Sequence, residues 1–347
     1  MVALSAVILT AGCLPTVVPR PGWRLAWSAA LAFQGRTTEA MHCRYVTRLA
    51  AGGRRIAAEL GDPAPTAATS SFHVRTATVA LSAGTGFGTT STGAPLSFTF
   101  AGASAVTVAA HTRVDSDPVP LIVRAGQSLV IDLKVDRGDA PSAAIAGEHS
   151  QCASLAGGPA KADGAVRWLS GLVVDGVAVR SVGALGDSIT EGLGLPTGGY
   201  QRWTDDLVAG GADVTNEGVT GGALSRPGTY GSLDGLTRLR ALTAEPGLTD
   251  VVIESGTNDL GDGATASQVL TSLDQALTLD RGRGIATEIA TITPPKRWGI
   301  TLSAGAGPAG REYGAARQMA IEPRRKTRRS RRRRARPHAA GETAAGI

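Results

Sequence analysis

Two periodicities divide the chain. Between residues 23 and 155, short runs of β-branched or alternating apolar residues recur at Val74–Leu81, Leu96–Phe100, Ala105–Ala109, Val119–Val123 and Ser128–Val135, separated by Gly, Pro, Ser and Asp. A period of two predicts strands, and strands spaced this closely predict an all-β, sandwich-like module. From about Val166 the pattern changes. Strand-like runs at Val177–Leu185, Asp250–Glu254 and Ile285–Ile292, with a short strand at Asp213–Asn216, alternate with helical patterns. The helical patterns cover Tyr200–Ala209 (led by Thr197-Gly198-Gly199), Leu233–Leu242 and Ala266–Asp280. This alternation, with nearly continuous apolar strands, predicts a parallel sheet covered by helices on both faces. Between the two patterns, Ser150–Gly164 is rich in Ala, Gly and small polar residues and reads as the crossing between domains. Beyond Lys296 no apolar period persists. The plan that results is an export-type segment at 1–22, a β-rich domain at 23–160, an α/β domain at 161–295 and a tail at 296–347.

Composition changes this picture in three places. Apolar residues are 42% of the 347 and aromatics only 4%, so Val, Ala, Leu and Ile must fill the core. The net charge of +6 is unevenly spread, because 14 of the 35 Lys/Arg lie from Lys296 onward, against 3 of the 29 Asp/Glu. The tail carries +11 and the body −5. Ten of the thirteen residues from Arg324 to Arg336 are basic, a block that cannot bury a face and is expected to be disordered. Such a run gives salt-sensitive phosphate affinity without sequence preference. With no interleaved aromatics, no folded reader and an acidic neighbour, specific nucleic-acid binding is not expected. Met1 to Gly12 is apolar, lacks Lys and Arg, and leads to Cys13. It reads as an export signal, placing the protein outside the cell or at its surface. Cys43 and Cys152 then remain, either paired in an oxidising compartment or buried as free thiols.

The candidate chemistry lies at three strand ends. Gly186-Asp187-Ser188-Ile189-Thr190-Glu191-Gly192 follows the first apolar run of the α/β part. A strand ending in Gly-Asp-Ser exposes one hydroxyl at a sharp strand-to-helix turn, with its N–H aimed at a bound oxygen. Asn216-Glu217-Gly218-Val219-Thr220-Gly221 follows the second run, and Val251-Val252-Ile253-Glu254-Ser255-Gly256-Thr257-Asn258-Asp259 contains the third. Each can also be read as an ordinary Gly-, Asp- or Asn-rich turn.

In order and spacing, these stretches resemble the first three signature blocks of the GDSL/SGNH family of serine esterases and lipases. The resemblance implies an SGNH-type, flavodoxin-like parallel sheet sandwiched by helices and an acyl-enzyme mechanism. Ser188 would be the nucleophile, Gly186 and Asp187 its supporting turn. The N–H groups of Ser188 and Gly221 and the side chain of Asn258 would hold the oxyanion, with Gly218 or Gly222 as alternatives to Gly221. No metal or cofactor is implied. Ser116-Asp117-Pro118-Val119 and Arg124-Ala125-Gly126-Gln127-Ser128-Leu129 resemble the β-rich N-terminal region of actinobacterial secreted members. Leu9-Thr10-Ala11-Gly12-Cys13 resembles the end of a bacterial lipoprotein signal, which implies membrane attachment through a lipidated Cys13. It departs from that signal in lacking a charged start and in having Thr10 where Leu is usual.

The family's fourth block, Asp-x-x-His, supplies the catalytic His and Asp, and neither is found in the chain. His42, His73, His111 and His149 precede the serine. His338 follows it, but Ala335 stands where the Asp should be. The chain keeps the family pattern through Thr291-Ile292-Thr293-Pro294 and then turns Arg/Ala/Gly/Pro-rich, as a shifted frame in GC-rich DNA does. The expectation is therefore an exported ester hydrolase (esterase, lipase or carbohydrate deacylase) impaired by the missing base. The alternative is a non-catalytic pseudo-hydrolase that binds cell-surface glycans or lipids.

Overall fold

The computed structural model describes residues 22–61, 70–84, 90–144, 148–162, 164–176, 180–196 and 199–290. The expected export segment through Pro21 (with Cys13) and the basic tail (with Ala335 and His338) lie outside the described residues, as do Val177-Ala178-Val179 and Thr197-Gly198.

Among the described residues, the first part of the chain has fifteen strands. They are β1 (Trp23–Ser28), β2 (Arg36–Thr37), β3 (Met41–Arg48), β4 (Ile56–Gly61), β5 (Phe72–Ser82), β6 (Ser91–Phe98), β7 (Val106–Val108) and β8 (Arg113–Asp115). They continue with β9 (Ser128–Val135), β10 (Gly138–Asp139), β11 (Ser142–Ala144), β12 (His149–Ser154), β13 (Lys161–Ala162), β14 (Ala165–Arg167) and β15 (Leu169–Asp175). Antiparallel pairing gives a four-stranded sheet, β1-β15-β4-β8, and a seven-stranded one, β13-β12-β3-β9-β5-β6 with β7 also on β5. Ala26, Ile56, Ala58, Leu60, Leu172 and Val174 of the first sheet share one buried cluster with Tyr45, Val74, Val79, Ile131 and Leu133 of the second. Cys43 and Cys152 face each other across the β3–β12 ladder and are disulfide-bonded.

Several expectations change here. Ser150–Gly164 is not a linker, because β12 and β13 lie within the seven-stranded sheet. Residues 165–175, expected in the second domain, pair inside the β region through β14 and β15. The β region therefore extends through β15 at Asp175, and the parallel sheet begins with the strand that starts at Ser181. Val119–Val123 is not a strand. Only isolated bridges from Val119 to Ile56 and from Val123 to Gly53 remain, since Pro118 and Pro120 cannot donate to a ladder.

The second part contains β16 (Ser181–Gly186), α1 (Ser188–Glu191), α2 (Trp203–Ala209), β17 (Asp213–Gly218), α3 (Gly235–Leu242), β18 (Asp250–Glu254), α4 (Thr257–Gly261), α5 (Ala266–Gly282) and β19 (Ala286–Ile289). Its four strands are parallel and ordered β17-β16-β18-β19. This is the flavodoxin-like order, whose switch point falls between the first strand, β16, and the third, β18. Alternation along the strands covers both faces. Val182, Ala184, Val214 and Val252 pack with Trp203 and Val208 of α2. Leu185, Val251 and Ile253 pack with Leu239 and Leu242 of α3 and Val269 and Leu273 of α5.

Leu25, Ala57 and Val173, from the far face of the four-stranded sheet, join this last cluster. That explains why β4 is buried at every position: one face packs on the seven-stranded sheet and the other on the α/β part. A buried polar cluster crosses the same boundary. The Arg113 guanidinium meets Glu59 at 3.4 Å, Asp115 at 3.3 Å and Glu245 at the end of α3.

Candidate active site

The carboxyl ends of β16, β17 and β18 bring the three sequence blocks together. Packing sets the nucleophile turn. A Cβ on Gly186 would lie 2.0 Å from Thr190 Oγ1, and one on Gly218 would lie 2.1 Å from the Glu191 backbone nitrogen. Only glycine allows α1 to sit this close to both strands. Asp187 caps α1, its Oδ1 accepting the Ile189 N–H at 2.9 Å. Ser188 opens the helix and is partly exposed, and its N–H has no partner among the described residues.

Asn258, at the start of α4, joins the blocks directly. Its Nδ2 donates to the Gly222 carbonyl at 2.8 Å and makes a longer contact of 3.4 Å with Asp187 Oδ2. The next residue, Asp259, is fully buried and accepts the N–H groups of Leu224 and Ser225, both at 2.8 Å. Together the two residues pin the loop after β17 to the end of β18.

The three candidate glycines of that loop differ in what their N–H groups do. Gly218 donates to Asn216 Oδ1 at 2.9 Å and Gly222 to the Val219 carbonyl at 2.8 Å. Gly221 N–H has no partner among the described residues, although its carbonyl accepts from Thr229 at 3.0 Å. Gly221 also has φ of +70° and the Tyr230 ring against it, so a side chain there would meet both strain and contact.

The electrostatics of the site come from three buried charged groups and one half-buried one, Glu254, whose contacts the sequence did not reveal. Burial raises the pKa of Asp187. Burial, with Asp187 beside it, pushes Glu254 up to about 7, and Glu254 accepts from Thr190 Oγ1 at 2.8 Å. Burial likewise raises Glu191. Arg238 offsets the Asp187 charge, along with those of Glu217, Asp234 and Asp259. Its guanidinium donates to the Glu217 carbonyl at 2.6 Å and the Gly186 carbonyl at 3.3 Å, and burial lowers its pKa to about 10. The signal that could have flagged Glu254 is a carboxylate at the end of the apolar run in β18.

The described histidines all belong to the β region. His42 meets Asp132 Oδ1 at 2.9 Å and His73 meets Thr107 Oγ1 at 3.0 Å. His149 lies on β12, and His111 sits in a turn with φ of 56°.

The sequence model of the GDSL-like lipase/acylhydrolase family matches residues 184–336. No curated protein matches the chain. Among solved structures, the SGNH-hydrolase family esterase AlinE4 is 22% identical, covering 41% of this chain and 71% of its own, with a TM-score of 0.32. TesA is 26% identical over 41% and 72%, also at 0.32. A family two carbohydrate esterase from Cellvibrio japonicus is 13% identical over 87% of this chain and 84% of its own, at 0.30.

Proposed function

From the membership of residues 184–336 in the GDSL-like lipase/acylhydrolase family, the GDSL/SGNH hydrolases, we propose that this chain is built to hydrolyse carboxylic esters through Ser188. The Ser188 hydroxyl would attack the ester carbonyl and form an acyl-enzyme. Its own N–H, the Gly221 N–H and Asn258 Nδ2 would hold the oxyanion. The observation that carries this reading is the bond from Asn258 to Gly222, with the contact to Asp187, which joins all three strand ends. Gly221 is preferred over its neighbours because its N–H is uncommitted while theirs are spent. Asn258 has one strong bond and one long contact, so one of its N–H groups can turn to the oxyanion.

The missing piece is the base. A Ser hydroxyl needs one to take its proton, and the only histidine after Ser188 is His338, outside the described residues. An impaired hydrolase is thus the first reading. A pseudo-hydrolase that binds glycan or lipid esters is the second, favoured by the placement of the four described histidines in the β region. That region is read as a sandwich, its two antiparallel sheets sharing one core. Export, with or without a lipid on Cys13, belongs to the same proposal. Among the described residues no helix is long and apolar enough to cross a membrane.

The test is hydrolysis of p-nitrophenyl acetate by the whole chain, with Ser188→Ala and Asn258→Ala beside it. Removal of one oxyanion donor typically lowers the rate ~10²–10³-fold in an intact hydrolase. Binding of an ester analogue without Ser188-dependent turnover would instead favour the second reading.

A further inference from the structure

We propose that Glu191 is a positioning residue for the oxyanion loop, and that the β region reaches the same loop through Glu148 and Arg202. The proposal rests on the reading of Gly221 N–H as an oxyanion donor. Glu191 ends α1, three residues after Ser188, and is 4% exposed. Its Oε2 accepts the N–H of Thr220, the residue before Gly221. The Thr220 φ and ψ relate the two N–H directions, so anchoring the Thr220 N–H restricts where the Gly221 N–H can point. The loop is held from its other end as well, where Gly218 packs on the Glu191 backbone with no room for a Cβ. A charge-assisted bond from a buried carboxylate is short and directional, which suits a clamp.

The carboxylate is not isolated. Burial raises the Glu191 pKa, the Thr220 hydrogen bond and the Arg202 charge work against that rise, and the Arg202 stem lies against Gly192, directly after Glu191. Arg202 is itself 8% exposed and held on two sides. Its Nε donates to Asp205 Oδ2 at 2.8 Å, within its own helix cap. Its Nη2 donates to Glu148 Oε1 at 3.2 Å. Glu148 belongs to the β region, where its other oxygen takes the Trp27 Nε1–H at 2.9 Å. Buried polar contacts thus run from β1 through Glu148 to Arg202, and from Glu191 to the Thr220 N–H, and the two sets meet where the Arg202 stem lies against Gly192 and its charge acts on Glu191. Physical continuity alone does not demonstrate coupling, so the test must measure it.

Two measurements on the full chain do so. The first is amide hydrogen exchange at Thr220 and Gly221 in Glu191→Gln, Glu191→Leu, Glu148→Gln and the Glu148→Gln/Glu191→Leu double variant. Gln keeps an acceptor oxygen and should leave Thr220 nearly as protected as in the parent. Leu should speed Thr220 exchange at least about tenfold while the β18 amides stay protected. Glu148→Gln should speed it in the same direction, and the double variant should add little to Glu191→Leu, since shared networks are not additive. The second is the affinity of phenylboronic acid, whose tetrahedral adduct on Ser188 places an oxygen in the hole. It should fall roughly 10–100-fold in Glu191→Leu, as for a displaced catalytic group, and be rescued in Glu191→Gln. Unchanged Thr220 exchange in Glu191→Leu, or strictly additive effects of the two substitutions, overturns the proposal. If Glu191→Leu does not fold, unchanged Thr220 exchange in Glu148→Gln overturns it. Phenylboronic acid binding that is indifferent to Ser188→Ala would instead sink the hydrolase reading, leaving the exchange data to decide the clamp.

Discussion

At the scale of single residues, nucleophile and base act as a unit, so loss of the base removes most of what loss of the whole triad removes. The chain as written should hydrolyse p-nitrophenyl acetate far more slowly than an intact hydrolase. A residual ~10³–10⁴-fold over water can survive from the oxyanion hole and binding alone. Ser188→Ala should then change the remaining rate only modestly. In a version whose C-terminus carries Asp-x-x-His, the same substitution should abolish nearly all activity. Full turnover by the chain as written, removed by Ser188→Ala, would mean that another base serves, with His149 and His111 the first to test. The residues behind this prediction were legible because their chemistry tolerates little else. Gly186 and Gly218 face atoms that leave no room for a Cβ, and Asn258 must present two N–H groups between Asp187 and Gly222. Glu191, Glu254 and Arg238 were not legible. Their partners lie 29, 64 and 52 residues away in the chain, and no local pattern announces a pairing at that distance.

At the scale of elements, α1 is only four residues long and has no stability of its own. It persists because the Asp187 cap and the glycines of β16 and β17 let it dock. Gly218→Ala should therefore be worse than an ordinary strand substitution. The new Cβ would meet backbone atoms of Glu191 rather than a flexible side chain. A loss of roughly 1–3 kcal/mol is expected from overpacking, read as a lower Tm by several degrees. A Gly211→Ala variant separates the two costs, since it meets φ strain at +91° but nothing within 4 Å of its added Cβ, whereas Gly218 meets atoms and has no positive φ. If Gly218→Ala melts with the parent, the tight docking of α1 is wrong. Although β17 and β19 mix polar with apolar residues, β16 and β18 of the α/β part were readable because each is a largely apolar or small-residue run ending in turn residues. β4 and β15 were not, although both are almost wholly buried. In β4 two Ala and Glu59 give neither period two nor strong strand propensity, and two-sided burial holds it as a strand. In β15 the Leu172-Val173-Val174 run is strand-prone but lies in the stretch that the sequence pattern assigned to the second domain.

At the scale of the whole molecule, the Cys43–Cys152 disulfide closes a loop with a sequence separation of 109. A cross-link over that length should stabilise the β region by roughly 2–5 kcal/mol. Reduction, or Cys43→Ser with Cys152→Ser, should shift urea unfolding of the β strands by that amount. Coincident curves for oxidised and reduced protein would contradict it. The reach of the β region past residue 160 was hidden because the crossing residues of the sequence plan, 150–164, are small and polar yet pair as β12 and β13.

The boundary between the two parts carries its own pH dependence. Glu245 at the end of α3 is pushed up to about 7, chiefly by burial, and Glu59 on β4 is raised in the same direction. The groups that face them are Arg113 and Asp115 from β8 and Glu217 from β17. One guanidinium cannot neutralise two buried carboxylates, so the pair holds a shared proton in the folded state. An unfolded Glu releases its proton near pH 4.3. Between that value and about 7 the folded chain therefore binds more protons than the unfolded one. The stabilisation from this cluster is full at acid pH and declines as pH rises through 7, by at most about 1.4 kcal/mol per pH unit for one proton. Glu254 at the active site adds a decline of the same sign over the same window. Denaturant titrations at pH 5, 6, 7 and 8 should show stability falling toward pH 8. Glu245→Gln should remove part of that slope and Glu245→Gln with Glu254→Gln most of it, since an amide keeps a hydrogen-bonding group without a charge. Stability that holds level from pH 5 to 8, or a slope unchanged in the double variant, would show that these carboxyls ionise as they do in water and that no proton is shared between the two parts.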